Sequence, residues 1–465
     1  MTIKQLSAGL LLLAASAFTA AAQQTTPLRL SLDECIRIAL NENPTIKVAQ
    51  MEIKRVDYSR REVLGQLLPN ISFSAQYSRS LAIQTVYMGD QSFKMGRDNS
   101  YNTGFNATIP LVVPQLWKSL KLSDNQILQK VEAARASRLS LVNQVKNAYY
   151  TLLLAHDSKK VIEESHKTAQ FNAQLFQKKY ELGVASEYDV LRANVEVTNL
   201  EPSIIEAENS ITQLELQLKV LMGMDVNVEI EPSQTLDAFK GMMYNHSAEM
   251  GASLVDNTSL KQMDLQTDYL NRALEAQKAA WWPTLTGSIN YMWNSTSMGS
   301  PFKNFKWNPY STASLSLSFP LFTGGQRLNK QRQAEIAARE MRWQRENLER
   351  SLQSQVISQV DLINKSLKQV ESNAGGVAQA TKANEIMQES FKIGSGTFIQ
   401  LLDTQDALLA ARLTYYQAIY NYLVADSDLE LLLGKAPLSN YTQPDEVPAP
   451  TTIHTVKTLF NFKGE

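Results

Sequence analysis

The chain has 465 residues, 44% of them hydrophobic, a length that ordinary domain sizes would divide into about three globular domains. It carries only 19 Gly and 15 Pro, with no Pro from Gln115 to Glu201 or from Leu321 to Ala436, so it lacks the turns such domains need and implies long helices instead. Lys+Arg number 45 against 46 Asp+Glu, so no nucleic-acid partner is expected; one Cys and four scattered His provide no disulfide framework, metal site or cofactor motif.

Residues 1–22 read as a signal peptide: Lys4 supplies the positive start, Leu10 to Ala15 an apolar run, and Ala20-Ala21-Ala22 the small residues before cleavage. The apolar run falls short of the ~18 residues a spanning helix needs. A first structural repeat is expected over residues 23–223. It opens with a helix from Leu32 to Gln66, interrupted by Pro44, in which Cys35 is a buried face residue rather than a lipid attachment site. Strands follow at about 69–79 and 101–111. In the first, Ile71, Phe73, Ala75 and Tyr77 alternate with Ser72, Ser74 and Gln76; in the second, Phe105, Ala107 and Ile109 alternate with Asn106 and Thr108. A polar stretch, Arg79 to Ser100, joins them. From about Gln115 to Leu182 runs a helix of roughly seventy residues, about 100 Å long if continuous. Its Leu139, Val142, Val145, Tyr149 and Leu152 recur at coiled-coil spacing. The helix ends at Gly183, a residue suited to a left-handed cap, and a second helix, Tyr188 to Leu221, returns antiparallel with a kink or junction expected at Pro202.

Residues 224–259 are an inter-repeat linker, and residues 260–434 repeat the first unit: a helix from Leu260 to Lys278, strands at about 284–294 and 310–320, a long helix from Gln326 to Ile393, a tip at Gly394, and a return helix from Phe398 to Leu433. Residues 435–465 form an extended C-terminal tail. The repeat is literal. "LGQLLPNISFSAQYS" returns as "AQKAAWWPTLTGSINYMW", "FNATIPL" as "LSLSFPLF", "KKYELGVAS" as "SFKIGSGT" and "LKVLMG" as "LELLLG". Each landmark recurs after about 210 residues, and order and spacing preserved together are far more specific than any single match.

Each strand is about as long as a tilted membrane-spanning strand, and its polar set is Ser, Thr, Asn and Gln with hardly a charge. Trp281, Trp282, Trp293 and Trp307, with Tyr77, Tyr101, Tyr291 and Tyr310, sit within or beside the strands, as aromatic girdles at lipid headgroups would. Four strands cannot span a bilayer alone, because two bare edges would leave backbone groups without partners in hydrocarbon. Other copies must complete the barrel. Three protomers give about twelve strands and room for a lumen; a dimer or tetramer stays open on these grounds.

The tandem order and the segments "YELGVASEYDVLRA" and "FKIGSGTFIQLLDTQDALLAARLTYYQAIYNYLVADSDLELLLG" resemble the TolC family of outer-membrane efflux proteins, over roughly Leu32 to Gly434. The resemblance implies a mixed α+β membrane protein: long α-helical coiled-coil hairpins plus four transmembrane β-strands per protomer, completing a 12-stranded β-barrel and an α-helical barrel in a homotrimer. It implies a non-enzymatic channel in contact with outer-membrane lipid, partnered by a periplasmic adaptor (membrane fusion protein) and an inner-membrane transporter. It implies that the hairpin tips, Gly183 and Val184 in the first and Gly394, Ser395 and Gly396 in the second, contact the adaptor. It also implies a periplasmic gate: Asp403 falls on a constricting aspartate, with Gln400 in place of the other and Asp406 one turn on. Asp189 falls on the latch acid, Phe391 stands where a latch tyrosine is expected, and Gly396 where the archetype has arginine. The usual acid to arginine latch therefore cannot form. The competing reading is a soluble periplasmic coiled-coil scaffold or adaptor, in which the strands make a small accessory sheet.

Overall fold

The computed structural model describes residues 27–303 and 306–435; the expected signal peptide, and all of the C-terminal tail beyond residue 435, lie outside the described residues. The chain divides into two compact units, each drawing on both repeats. One gathers residues up to Asn43, Leu141–Asn245 and Leu362–Ser427; the other gathers Pro44–Ser140, His246–Asp361 and residues from Asp428.

The second of these holds the sheet. Strands β2 (Asn70–Arg79), β5 (Asn99–Val112), β7 (Thr284–Ser297) and β8 (Asn308–Ser318) form one antiparallel sheet in the order β2-β5-β7-β8, so the two repeats meet at the central pair and β2 and β8 are its edges. Register places like with like. Phe73 faces Phe105, which faces Tyr291, while Ser288 faces Ser314 and Asn290 faces Thr312. On the apolar face the rings of Phe73 and Phe105 lie 5.1 Å apart and those of Tyr291 and Trp293 4.7 Å apart. On the polar face the Ser288 and Ser314 hydroxyls are 2.7 Å apart and Asn290 donates to Thr312 at 3.4 Å. Tyr310 departs from the expectation of a lipid-level ring: it pairs with Met292, in phase with Asn290 and Thr312, and so falls on the polar face. The period of two decides this; an aromatic one position out of phase joins the other side.

The stretch between β2 and β5 contains a small hairpin of its own, β3 (Thr85–Met88) with β4 (Gln91–Lys94). Helices α2 (Pro44–Gly65) and α5 (Thr258–Ala279) lead into β2 and β7. Near α2 the Arg60 guanidinium is buried against Asp57 at 2.7 Å, with Asp124 at 3.6 Å, so two carboxylates share one desolvated cation.

The first unit is built on helix pairs. Helix α3 (Pro114–Glu181, 68 residues) returns as α4 (Glu187–Met222), and α6 (Gln326–Lys392, 67 residues) returns as α7 (Phe398–Leu433). The unit contains α3 from Leu141, α4, α6 from Leu362 and α7 to Ser427. Helix α4 runs continuously through Pro202, so of the expected kink or junction the junction does not form. Proline removes only the bond to the Thr198 carbonyl, and Thr198 is exposed, so water can satisfy that group. Helix α1 (Leu32–Glu42) begins with a Ser31–Glu34 capping box and buries Cys35 completely, which pushes the thiol up to about 12. Strands β1 (Leu28–Leu30) and β6 (Ile230–Pro232) pair in parallel, and the chain continues after β6 into a short 3-10 segment, Leu236–Met242. Buried Tyr149 ties this edge down by donating to the Leu30 carbonyl at 3.0 Å, and Asp157 accepts the Leu236 amide at 2.9 Å. Among the described residues no helix is long and apolar enough to cross a membrane.

Candidate functional site at the hairpin tips

Both hairpin turns are made the same way. Gly183 (φ 73°) and Gly394 (φ 78°) take the left-handed conformation that residues with a Cβ avoid. The next amides then reach back five residues: Val184 donates to the Lys179 carbonyl at 2.8 Å and Ser395 to the Ser390 carbonyl at 2.9 Å, the doubly hydrogen-bonded glycine cap of a helix end. Gly396 fills a different need, because a Cβ there would stand 3.1 Å from the Met387 sulfur and 3.2 Å from the Phe391 nitrogen. A side chain here would need its neighbours to shift by a few tenths of an ångström.

The return helices also begin alike. Ser186 accepts from the Asp189 amide at 3.2 Å and donates its hydroxyl to the Asp189 carboxylate at 2.6 Å; Thr397 accepts from the Gln400 amide at 3.3 Å while Gln400 accepts the Thr397 amide at 3.0 Å. Asp189 and Gln400 are thus the third-position partners of capping boxes, at the same place in the two repeats. Their structural task was missed in the sequence, although S-x-x-D and T-x-x-Q directly before a helix carry the signal.

Between the turns lies an apolar core contributed by all four helices. Phe176 and Ala173 of α3, Val190 and Ala193 of α4, and Phe398, Leu401 and Leu402 of α7 are buried, with Met387 and Phe391 of α6 packed against them. Phe176 and Phe398 stand 4.0 Å apart between centroids, Phe176 and Phe391 5.8 Å. The Lys179 ammonium lies 4.6 Å from the Phe391 centroid and 5.5 Å from that of Phe176, a cation over two rings. Phe391 therefore holds its place by packing. Sequence reading missed Phe176, Phe398 and Lys179, because a lone Phe in a long amphipathic helix looks like any other core residue.

The acids follow one turn further. Asp403 and Asp406 are exposed on α7. Partial burial pushes the Asp406 carboxyl up, the Asp403 charge adds to this and Arg192 opposes it; Glu196 of α4 is likewise raised by burial and then by Asp406, with Arg192 again opposing. Neutral forms of Asp406 and Glu196 are favoured by folding, so their contribution to tip stability is full below the ordinary carboxylate range and is lost as pH rises through the raised values. Asp406→Asn is accordingly expected to raise the thermal midpoint of the protein at pH 7 and to leave it unchanged at pH 4. A midpoint that fell at pH 7 would show that Asp406 is held by attraction instead.

A family model described as outer membrane efflux protein matches residues 35–224 and 250–435. The chain belongs to the outer membrane efflux protein family. The outer membrane protein TolC of Vibrio cholerae is 23% identical over 375 residues, covering 79% of this chain and 82% of that relative. The alkaline protease secretion protein AprF of Pseudomonas aeruginosa is 24% identical over 413 residues, 87% of this chain and 84% of the relative. The solved structure of CusC matches with a TM-score of 0.72 at 18% identity, over 90% of this chain and 96% of that one. As a member of this family the protein is a non-enzymatic outer-membrane channel extending into the periplasm, of the kind that serves efflux and type I secretion systems. The soluble scaffold reading is set aside. Family membership implies trimeric assembly within a tripartite system, and closing the sheet into a barrel needs that trimer, because β2 and β8 have unsatisfied edges in a single chain.

Proposed function

We propose that the protein is the passive exit duct of a tripartite export machine, a homotrimer docked on a periplasmic adaptor of the membrane fusion class and fed by an inner-membrane transporter that supplies the energy. What supports docking at the tips is their chemistry: Leu182, Val184 and Ile393 flank the glycine turns and are all more than two-thirds exposed, an unusual amount of aliphatic surface for a helix end in water. Gly183, Val184, Gly394, Ser395 and Gly396 form the contact. In this reading Gln400, Asp403 and Asp406 line the periplasmic constriction, with Asp189 capping α4 and Phe391 packing the end of α6 beside them.

Three copies of Asp403 near a threefold axis repel one another and attract cations. The expected result is that Asp403→Ala raises single-channel conductance in planar bilayers and weakens block by divalent cations added from the periplasmic side. Unchanged conductance together with unchanged cation block would remove Asp403 from the gate. Docking is tested separately by placing a photocrosslinker at Val184 and identifying the captured periplasmic protein in whole cells; capture of an adaptor is expected, and its absence with crosslinks only to other copies of this chain would assign the tips to self-assembly.

A further inference from the structure

The apolar face of the sheet carries a groove of about 620 Å³ that the channel function does not use. Register puts its apolar lining on one side: Ala107, Ile289 and Ala313 form one in-line row across β5, β7 and β8, and Ile109, Gly287 and Leu315 the next but one, with Thr108, Ser288 and Ser314 between them turned to the polar face. Ala107, Gly287 and Ala313 make the floor, while Ile109, Ile289 and Leu315 stand as walls. Ile289 is 62% and Leu315 73% exposed. In the outer membrane this face meets hydrocarbon, so what enters the groove is an acyl chain.

The fold fixes the leaflet. Strands β2 and β7 are entered from α2 and α5, and β5 and β8 lead into α3 and α6, so all four strands join helices at one end, the periplasmic one. Pro69 borders the groove immediately before β2, Gly287 is close to the start of β7 and Leu315 close to the end of β8, which sets the groove at the periplasmic end of the sheet. That leaflet is made of glycerophospholipid, whereas lipopolysaccharide occupies the other.

Beyond the groove, toward the same end, the chain presents groups suited to a headgroup. Trp281, Trp282, Phe319 and Phe322 are exposed, as interfacial rings are. The Arg327 guanidinium lies 5.7 Å from the Trp281 ring centroid and donates to the Pro320 carbonyl at 3.0 Å. That bond uses one of its five N–H donors and holds the cation at Pro320, two residues beyond the end of β8, with other donors left for a phosphate.

We propose that each protomer binds one glycerophospholipid of the periplasmic leaflet, with an acyl chain in the groove over Gly287 and Ala313 and the anionic phosphate at Arg327. This stands apart from adaptor docking and gating, so its failure would leave the exit-duct reading untouched.

The test uses the intact trimer, incorporated in nanodiscs containing phosphatidylglycerol, phosphatidylethanolamine and lipid A, then released in mild detergent and weighed by native mass spectrometry. The wild type is expected to retain one phospholipid per protomer. Ala313→Leu, which fills the groove from its floor, is expected to lose it while trimer mass and conductance stay unchanged. If that variant fails to assemble, Gly287→Val fills the same space from the next strand, where a new Cβ meets Ile109 at 3.3 Å, a gap the isoleucine can widen. Arg327→Gln is expected to keep the lipid but reduce the preference for phosphatidylglycerol over phosphatidylethanolamine about fivefold, the value of one interfacial cation. Equal lipid retention by wild type and the filled variants overturns the proposal, and so does retention of lipid A in place of phospholipid.

Discussion

Phe176→Ala is expected to be the most damaging single truncation at the hairpin tips. Phe176 is 4% exposed and touches both Phe391 and Phe398, so its loss removes the ring that joins α3 to the other hairpin. Emptying such a site costs about 3–5 kcal/mol. The loss has a functional readout, because the aromatic cluster carries the attachment of one hairpin end to the other. The trimer should show a lower unfolding temperature and a higher resting conductance, and cells should become sensitive to bulky solutes that the closed channel excludes. Phe176→Leu, which keeps most of the volume, should retain most of both properties. Wild-type conductance and wild-type thermal stability in Phe176→Ala would refute the view that this cluster holds the tips.

Gly434→Ala comes next. Gly434 closes α7 with φ 68°, and a Cβ there would lie 2.1 Å from the Asp256 carbonyl oxygen, which is backbone and cannot swing away. The Asp256–Asn257 segment would have to move. It is held by Asn257 donating to the Leu432 carbonyl at 2.7 Å and by Arg135, which donates to the carbonyls of Asp256 at 3.1 Å and Gly434 at 3.0 Å. Left-handed strain of about 1–2 kcal/mol plus loss of these bonds gives an expected cost of about 3 kcal/mol or more. The first repeat provides an internal control. Gly223 closes α4 with φ 69° beside Glu42, and Asn43 donates to Leu221 at 2.8 Å, but its Cβ would stand 2.8 Å from the nearest backbone atom. Gly223→Ala is therefore expected to be milder, and thermal unfolding of the two variants checks the order. A Gly434→Ala protein as stable as Gly223→Ala would mean that the loop yields easily.

Much of the architecture is written in local pattern. Alternation from Ile71 and from Leu285 specified strands, glycines at 183 and 394 specified turns, and a proline-free run from Gln115 specified a helix that the structure carries to Glu181. Even the internal repeat was legible, because two copies of one unit carry the same landmarks at the same spacing. Legibility failed where an element gains its stability from distant partners. Three-residue strands such as β1 and β6 leave too short a signal to read, and they exist because Leu28–Leu30 finds Ile230–Pro232 across the fold and Tyr149 fixes the pair.

The candidate site divides along the same line. Resemblance located Asp189, Gln400, Asp403 and Phe391, but their surroundings came from three dimensions: two capping boxes, an aromatic cluster drawn from four helices, and the influence of Asp406 on Glu196, which no spacing along the chain reveals. By itself the sequence determined the long helices, the four sheet strands, the internal repeat and the need for sister chains, since periodicity and unsatisfied strand edges are local properties. The tertiary structure alone decided which side chains share a core and which charges share a low-dielectric space, because packing and electrostatics depend on distances that only the folded chain defines.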